Sequence, residues 1–247
     1  MRAVIFAAGL GSRLEGKAGK IPKVLMRVGE RSLLERHLRI LAALGIHDVV
    51  LGVGYEAARV DEELARLGRP DVRTVYNPDY SDGSIVTLAT LGEELTYGGD
   101  VLMMDGDVLY DRRIIRRLID TSHANCFLLD RNVEPGEEPM KLAIRDDAPV
   151  DFRKTLAEPH DFYGESVGFF RFSAALVPSL LAAAAKIIAD GGKADYMEEA
   201  IRAALLEAPG QFSCEDITGL PWIEIDFPDD IARAETEILP ALIEDDR

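Results

Sequence analysis

A chain of 247 residues, 47% apolar and 29% charged, has the make-up of an ordinary globular protein, long enough to bury a large core as one α/β domain or two small ones. Its formal net charge of −16 argues against nucleic acid or an anionic membrane surface as a partner, and no apolar stretch reaches the ~20 residues that span a bilayer. Two distant cysteines, Cys126 and Cys214, lie outside any metal-ligand spacing and read as reduced thiols. The chain enters its first apolar run at once, leaving no room for a signal segment, so a cytoplasmic protein is expected.

Strand-length apolar runs alternate with helical patterns over the first 130 residues. Strands are predicted at 2–6, 48–53, 72–76, 100–104 and 124–129, and helices at 32–44, 56–67, 84–95 and 111–120. Leu33, Leu34, Leu38, Leu41 and Leu44 make one face of the first helix apolar. His37 shares that face without a partner at helical spacing, and reads as a packed or half-exposed side chain rather than a catalytic one. Shorter strand-like pieces follow at 140–145, 150–154 and 164–172, predicting an antiparallel extension that closes over the sheet's carboxyl end. Helices are expected at 174–189 and 194–207 and short strands near 211–215 and 223–225. A last helix starts after Pro228, with Asp229 and Asp230 in its first turn complementing the dipole.

The fold class this predicts is α/β: a Rossmann-like mixed, mainly parallel sheet with helices on both faces and a small β-rich lid insertion. The expected organisation is a single domain over 1–247. Residues 1–130 are expected to form the strand–helix part, and 131–247 the part with the lid and C-terminal helix.

The chemistry is concentrated near the start. Ala3-Val4-Ile5-Phe6 opens into Ala7-Ala8-Gly9-Leu10-Gly11-Ser12-Arg13 and reaches Pro22-Lys23 ten residues later. A buried strand thus delivers a glycine turn with exposed backbone N–H groups and two cations to the sheet's carboxyl edge, where ligands of open α/β sheets bind. Small residues let the backbone approach phosphates, which suits a nucleoside triphosphate. Between Arg13 and Arg31 the chain carries six cations, Arg13, Lys17, Lys20, Lys23, Arg27 and Arg31, against Glu15 and Glu30, a basic focus in an acidic protein. Two other phosphate loops fail on a missing residue. Gly11 to Lys17 fits a P-loop, but Ala18 stands where a hydroxyl is needed. Gly9-Leu10-Gly11 lacks the third glycine of the dinucleotide fingerprint, and the second strand ends without an acidic ribose ligand.

The pattern A-A-G-x-G-x-R followed by P-K resembles the signature of nucleotidyltransferases that activate phosphorylated small molecules. Within that superfamily it is most similar to the phosphocholine cytidylyltransferase group and its inositol-phosphate and phosphonate relatives. Asp105-Gly106-Asp107 and Trp222-Ile223-Glu224-Ile225-Asp226-Phe227-Pro228 extend the resemblance along nearly the whole chain. The resemblance implies a nucleotide-diphospho-sugar transferase type of fold and a reaction between CTP, or another nucleoside triphosphate, and an anionic phosphorylated small molecule. It also implies Mg²⁺ held by Asp107 and Asp226, with Asp105 in support. Lys23 and Arg13 are the expected catalytic cations, Lys23 at the α-phosphate and Arg13 on the departing pyrophosphate. Nucleotide contacts are expected from Ala7, Ala8, Gly9, Gly11, Ser12 and from Asp82, Gly83 and Ser84. Such chemistry needs no general base, because a phosphomonoester is already substantially dianionic near neutrality. A histidine-free set of motifs agrees with it.

Tyr163, Glu165, Trp222 and Glu224 are the candidates for the acceptor, an aromatic or acidic set suited to an amine or choline cation. Tyr196 is a further aromatic candidate and Glu198 a further acid able to pair with an amine or choline cation, beside default readings of core packing for Tyr196 and of exposed-face acids for Glu165 and Glu198. A sugar-1-phosphate nucleotidyltransferase using UTP, dTTP or GTP is the nearest rival. Glu15-Gly16-Lys17-Ala18 replaces the R-P-x-T continuation usual there, which weakens it. A non-catalytic nucleotide-binding regulatory module is the rival of another class, and a homodimer is compatible with either.

Overall fold

The computed structural model describes residues 1–9, 11, 21–133 and 139–246. Ser12, Arg13, Lys17 and Lys20 lie outside the described residues. The strands are β1 (Arg2–Ala7), β2 (Arg27–Val28), β3 (Arg31–Ser32), β4 (Val49–Val53), β5 (Arg73–Tyr76), β6 (Val101–Asp105), β7 (Val108–Tyr110), β8 (Cys126–Leu129), β9 (Lys141–Arg145), β10 (Ala148–Arg153), β11 (Phe162–Glu165), β12 (Phe169–Phe172), β13 (Ser213–Asp216) and β14 (Trp222–Glu224). The helices are α1 (Leu33–Ala43), α2 (Ala57–Arg66), α3 (Ser84–Thr90), α4 (Gly92–Leu95), α5 (Arg112–Asp120), α6 (Val177–Ala189), α7 (Met197–Glu207), α8 (Pro228–Arg233) and α9 (Leu239–Ala241).

Seven strands form the main sheet in the order β13-β8-β12-β6-β1-β4-β5. Every neighbouring pair is parallel except those made by β12, which runs antiparallel between β6 and β8. Alternation along β1 divides the core. Ala3, Ile5 and Ala7 face α1, α2 and α5 through Leu38, Val60 and Ile114, while Val4 and Phe6 face α3, α6 and α7 through Leu88, Leu180 and Ile201. A doubly covered, mainly parallel sheet is therefore what the apolar runs encoded.

Several features depart from the pattern read in the sequence, among them the short strands β2 and β3, which pair antiparallel. The run 164–172 breaks at Gly168, whose φ of 75° ends β11 and lets β12 enter the main sheet. Helix 84–95 is divided at Leu91, before the poor helix former Gly92. Residues 108–110 form an unanticipated strand, β7, that pairs antiparallel with β14.

The β-rich insertion is the three-stranded sheet β10-β9-β11. Phe152 of β10 is fully buried, its ring 5.0 Å from that of Phe127 and 5.8 Å from that of Phe170, so the insertion is packed into the second core layer. Cys126 and Cys214 are free thiols, as expected, and burial raises them to about 12 and about 11.

Candidate functional site

The carboxyl ends of β1 and β6 meet because the two strands pair in register, Phe6 opposite Asp105. Beyond them the Gly106 amide donates to the Phe6 carbonyl at 3.0 Å, and the Ile225 amide donates to the Asp107 carbonyl at 3.0 Å. The Asp105-Gly106-Asp107 turn is thus clamped between the first strand and the C-terminal strand. A Cβ on Gly106 would lie 2.8 Å from the Phe6 carbonyl oxygen, so the turn requires glycine there. Asp226 follows β14, and the Asp230 carboxylate accepts from the backbone N–H of both Asp226 and Phe227 at 3.0 and 2.7 Å, ending the strand and starting α8.

Lys23 opens a short 3₁₀ turn after Pro22. Its ammonium donates to Asp107 Oδ2 at 2.7 Å and to Asp226 Oδ1 at 2.5 Å. Burial works against the lysine's charge, but the two carboxylates outweigh it and hold the pKa above the ordinary lysine value. Gly11, at φ 59°, makes room for this side chain: a Cβ there would stand 3.1 Å from Lys23 Cγ.

Asp107, Glu224 and Asp226 each offer a carboxylate oxygen, and the three oxygens lie within 4.8 Å of one another. Desolvation in the cleft, then the charges of Asp107 and Asp226, push the Glu224 carboxyl well above the usual range. Burial, followed by the charges of Glu198, Asp107 and Glu224, does the same to Asp105. Clustered hard oxygen donors that repel one another suit Mg²⁺, so the donor set fits the expected ion.

His37 has a part that its apolar helix face concealed. It is fully buried, with Nε2 3.2 Å from the Gly106 carbonyl oxygen and Nδ1 3.3 Å from the Tyr110 hydroxyl. Only an Nε2–H can donate to that carbonyl, so the Tyr110 hydroxyl donates to Nδ1. Burial lowers its pKa to about 4, against the opposing pull of the Gly106 carbonyl and Asp107. A neutral imidazole therefore braces the turn that carries Asp107.

These groups line a cleft of ≈ 330 Å³. One wall is made by Ala7, Ala8, Gly9 and Gly11 with Tyr80, Asp82, Ser84 and Thr87. Ser84 does not cap its own helix; its hydroxyl accepts from the Met197 amide at 2.8 Å and ties α3 to α7. Gly83 is not among the lining residues. It packs so tightly on the 194–195 backbone that a Cβ would sit 1.9 Å from the Asp195 carbonyl oxygen, a structural reason for glycine in place of the expected nucleotide contact.

The opposite wall holds one of the four residues expected to meet an acceptor. Glu224 lines the cleft, but Trp222, Tyr163 and Glu165 do not. The Trp222 indole N–H donates to Asp130 Oδ2 at 2.8 Å while its ring packs on the first core layer. Tyr163 is exposed on β11 with its ring against His160. Glu165 exchanges backbone hydrogen bonds with Asp130 at 2.7 and 2.9 Å. Met140, Lys154, Ser166, Tyr196 and Glu198 stand there instead. Glu198 and Tyr196 carried no periodic signal separating them from surface positions, because their placement depends on how α7 docks against β10.

Comparison with known proteins agrees with this geometry. A profile of the MobA-like NTP transferase domain matches residues 3–202. The chain belongs to this family. CMP-5'-(3-aminopropyl)phosphonate synthase of Streptomyces rubellomurinus is 28% identical over 97% of this chain and 39% of its own length. The bifunctional IPC transferase and DIPP synthase of Rubrobacter xylanophilus is 30% identical over 96% of this chain and 52% of its own. The chain thus spans about half the length, or less, of these two relatives. Among solved structures, CTP:phosphocholine cytidylyltransferase from Streptococcus pneumoniae superposes with a TM-score of 0.76 at 23% identity, covering 95% of this chain and 97% of that one. Inositol-1-phosphate CTP transferase from T. maritima also gives 0.76, at 19% identity over 96% and 97%. The fold of this NTP transferase domain is the nucleotide-diphospho-sugar type that its opening motif implied.

Proposed function

We propose that the chain is a Mg²⁺-dependent cytidylyltransferase that joins CTP to a phospho-alcohol of the phosphocholine kind or to a phosphonate, releasing pyrophosphate. The observation that carries this reading is the contact of Lys23 with both Asp107 and Asp226 at the floor of the cleft. A regulatory binder has no need of a lysine and three carboxylates converging beside its nucleotide loop. The similarity of 97% of this chain to 39% of the length of a CMP-phosphonate synthase supports cytidine and a phosphorus-acid acceptor.

In this reaction an anionic oxygen of the acceptor attacks the α-phosphorus. A new P–O bond forms there, the bond to the β-phosphoryl oxygen breaks, and pyrophosphate departs with that electron pair. The nucleophile arrives already deprotonated, so the site's task is to bring anions together and stabilise charge on the transferring group. Asp107, Glu224 and Asp226 would hold Mg²⁺, which supplies neutralising charge at the phosphates when bound. Lys23 is positioned by its two carboxylates to turn its ammonium to the α-phosphoryl oxygens. The Ala7–Gly9 backbone and the Tyr80–Ser84 wall receive the nucleoside, and Arg13 is assigned to the leaving pyrophosphate by its place in the motif.

Pyrophosphate release with Mg²⁺, across the four ribonucleoside triphosphates and a panel of phosphocholine, phosphoethanolamine, aminoalkylphosphonates, inositol phosphate and glucose 1-phosphate, tests the reading. Release requiring CTP and a non-sugar acceptor supports it. Turnover confined to UTP, dTTP or GTP with a sugar phosphate replaces it with the sugar-nucleotide alternative.

A further inference from the structure

Three segments that carry the cleft's charged groups share a base. Lys23 precedes β2, Asp107 precedes β7, and Glu224 and Asp226 stand at the end of β14 and just beyond it. Met26, Val28, Leu109, Ile223 and Ile225 from these segments pack with Leu242 in a third apolar cluster, and none of them lines the cleft. Alternation through 223–226 sends Ile223 and Ile225 to this cluster and Glu224 and Asp226 to the cleft.

Residues 242–246 are fastened to the same base by polar contacts. Asp246 is buried, and its carboxylate accepts from the Arg112 backbone N–H at 2.8 Å and from Arg112 Nε at 2.6 Å. Its carbonyl oxygen accepts from Arg36 Nη1 at 2.6 Å, while Arg36 Nη2 donates to the Val28 carbonyl at 2.7 Å. One buried guanidinium thus ties Asp246 to the strand that follows Lys23. The Asp111 carboxylate accepts from the Ile243 amide at 3.1 Å, and the Asp111 amide donates to the Pro221 carbonyl at 3.1 Å, just before β14. Arg36 also neighbours His37, whose ring braces the Gly106 carbonyl.

Stability alone does not account for this arrangement. Arg36 Nε is buried without a hydrogen-bond partner among the described residues, and an unpaired buried donor is costly. A buried ion pair adds little net stability over apolar residues of the same volume. Directional bonds to buried charges supply what apolar packing does not, a fixed relation among segments remote in sequence.

We propose that Asp246 is a positioning residue for nucleotidyl transfer: acting through Arg36 and Arg112, it holds the Lys23 turn and the Asp107 turn where Asp107, Glu224 and Asp226 converge. It lies outside the cleft and touches none of the reacting groups. The catalytic consequence rests on the cytidylyltransferase reading above, and the coupling between Asp246 and the two turns is independent of it.

Asp246→Asn keeps the side chain's shape and one acceptor oxygen while removing the charge that faces Arg112. Amide hydrogen exchange of the metal-free protein reads the coupling directly. The amides of Met26, Gly106 and Ile225 donate to the carbonyls of Lys23, Phe6 and Asp107. They should exchange about tenfold faster in the variant, relative to Val50 and Leu51 in the main sheet. Asp100→Asn removes the carboxylate that accepts from Arg171 at 2.9 Å, at the opposite end of β6 from Asp105. It should leave those three amides unmoved, which separates the coupling from a general loss of stability.

Mn²⁺ alone, followed by electron paramagnetic resonance, should bind about tenfold more weakly to Asp246→Asn. With CTP and an accepted phosphorus acid, kcat should fall about tenfold while KM for CTP is unchanged. Arg112→Gln keeps the backbone bond to Asp246, should give the same pattern more weakly, and serves if Asp246→Asn does not fold. Wild-type exchange at the three amides, or acceleration spread equally over the main sheet, overturns the proposal. Faster exchange with unchanged Mn²⁺ affinity and kcat makes Asp246 a purely structural residue and overturns it as well. If the wild type neither binds Mn²⁺ nor releases pyrophosphate, the metal and reaction readings fail on their own, and the exchange pattern decides this one.

Discussion

Lys23 and Asp226 are 203 positions apart in sequence and 2.5 Å apart in the fold. The lysine comes from the turn after the first strand and the aspartate from the start of the C-terminal helix, so the contact closes the site from both ends of the chain. It also keeps Asp107 and Asp226 together without a metal. Lys23→Met removes a cation aimed at the transferring group, and kcat should fall about 10²–10³-fold. The same variant should melt at a lower temperature than the wild type in chelator, and Mg²⁺ should narrow the gap. Unchanged kcat would exclude the catalytic role assigned to Lys23.

The three-carboxylate cluster makes a separate demand. Asp107→Asn should abolish turnover while the near-ultraviolet circular dichroism stays native. Glu224→Gln, which keeps shape and removes one charge, should raise the Mg²⁺ concentration for half-maximal activity about tenfold. Activity retained in chelator, or in Asp107→Asn, would sink the metal assignment.

Gly168 separates β11 from β12 at φ 75°, and an added Cβ would lie 2.0 Å from Asp105 Oδ2. Gly168→Ala combines backbone strain with displacement of a cleft carboxylate, at a cost of about 1–3 kcal/mol. The urea midpoint should fall, and activity at saturating substrate should drop with it. A variant as stable and active as the wild type would show that Asp105 can move freely.

His37 makes stability depend on pH in a defined window. Its pKa in the fold is about 4, against an ordinary 6.5 that the unfolded chain recovers. As pH falls through 6.5 the unfolded chain takes up the proton and the folded one does not. The stabilisation is therefore complete above about 6.5 and is lost progressively down to about 4, by up to ~3 kcal/mol. His37→Gln keeps a donor for the Gly106 carbonyl and cannot titrate. Its melting temperature between pH 7 and pH 4.5 should be flatter than that of the wild type. Parallel curves for the two proteins would rule out a buried neutral histidine.

The placement of residues that end strand-length apolar runs was legible without a fold: Ala7 to Gly9 and Asp105 to Asp107 follow such runs, whereas the roles of Lys23 and Asp107 came with the resemblance to a family motif. A parallel sheet presents the carboxyl ends of such strands on one edge, so their convergence is a consequence of strand direction. Asp226 was legible by resemblance to a family motif, and its contact with Lys23 needed β14 to pair with β7, a strand that the sequence pattern did not reveal. The wall opposite the glycine loop was not legible. Trp222 had the right chemistry for a cation, yet tertiary packing gave its N–H to Asp130. Glu198 could be named only as one of three acids able to pair with a cation, and docking of α7 is what buried one of its oxygens in the cleft. The sequence by itself determined most strands of the main sheet and the chemistry of the glycine loop, because hydrophobic alternation and glycine turns act over a few neighbouring residues. Only the tertiary structure decided which distant carboxylates share a cation. Burial and hydrogen-bond satisfaction are properties of the packed whole, settled when remote elements meet.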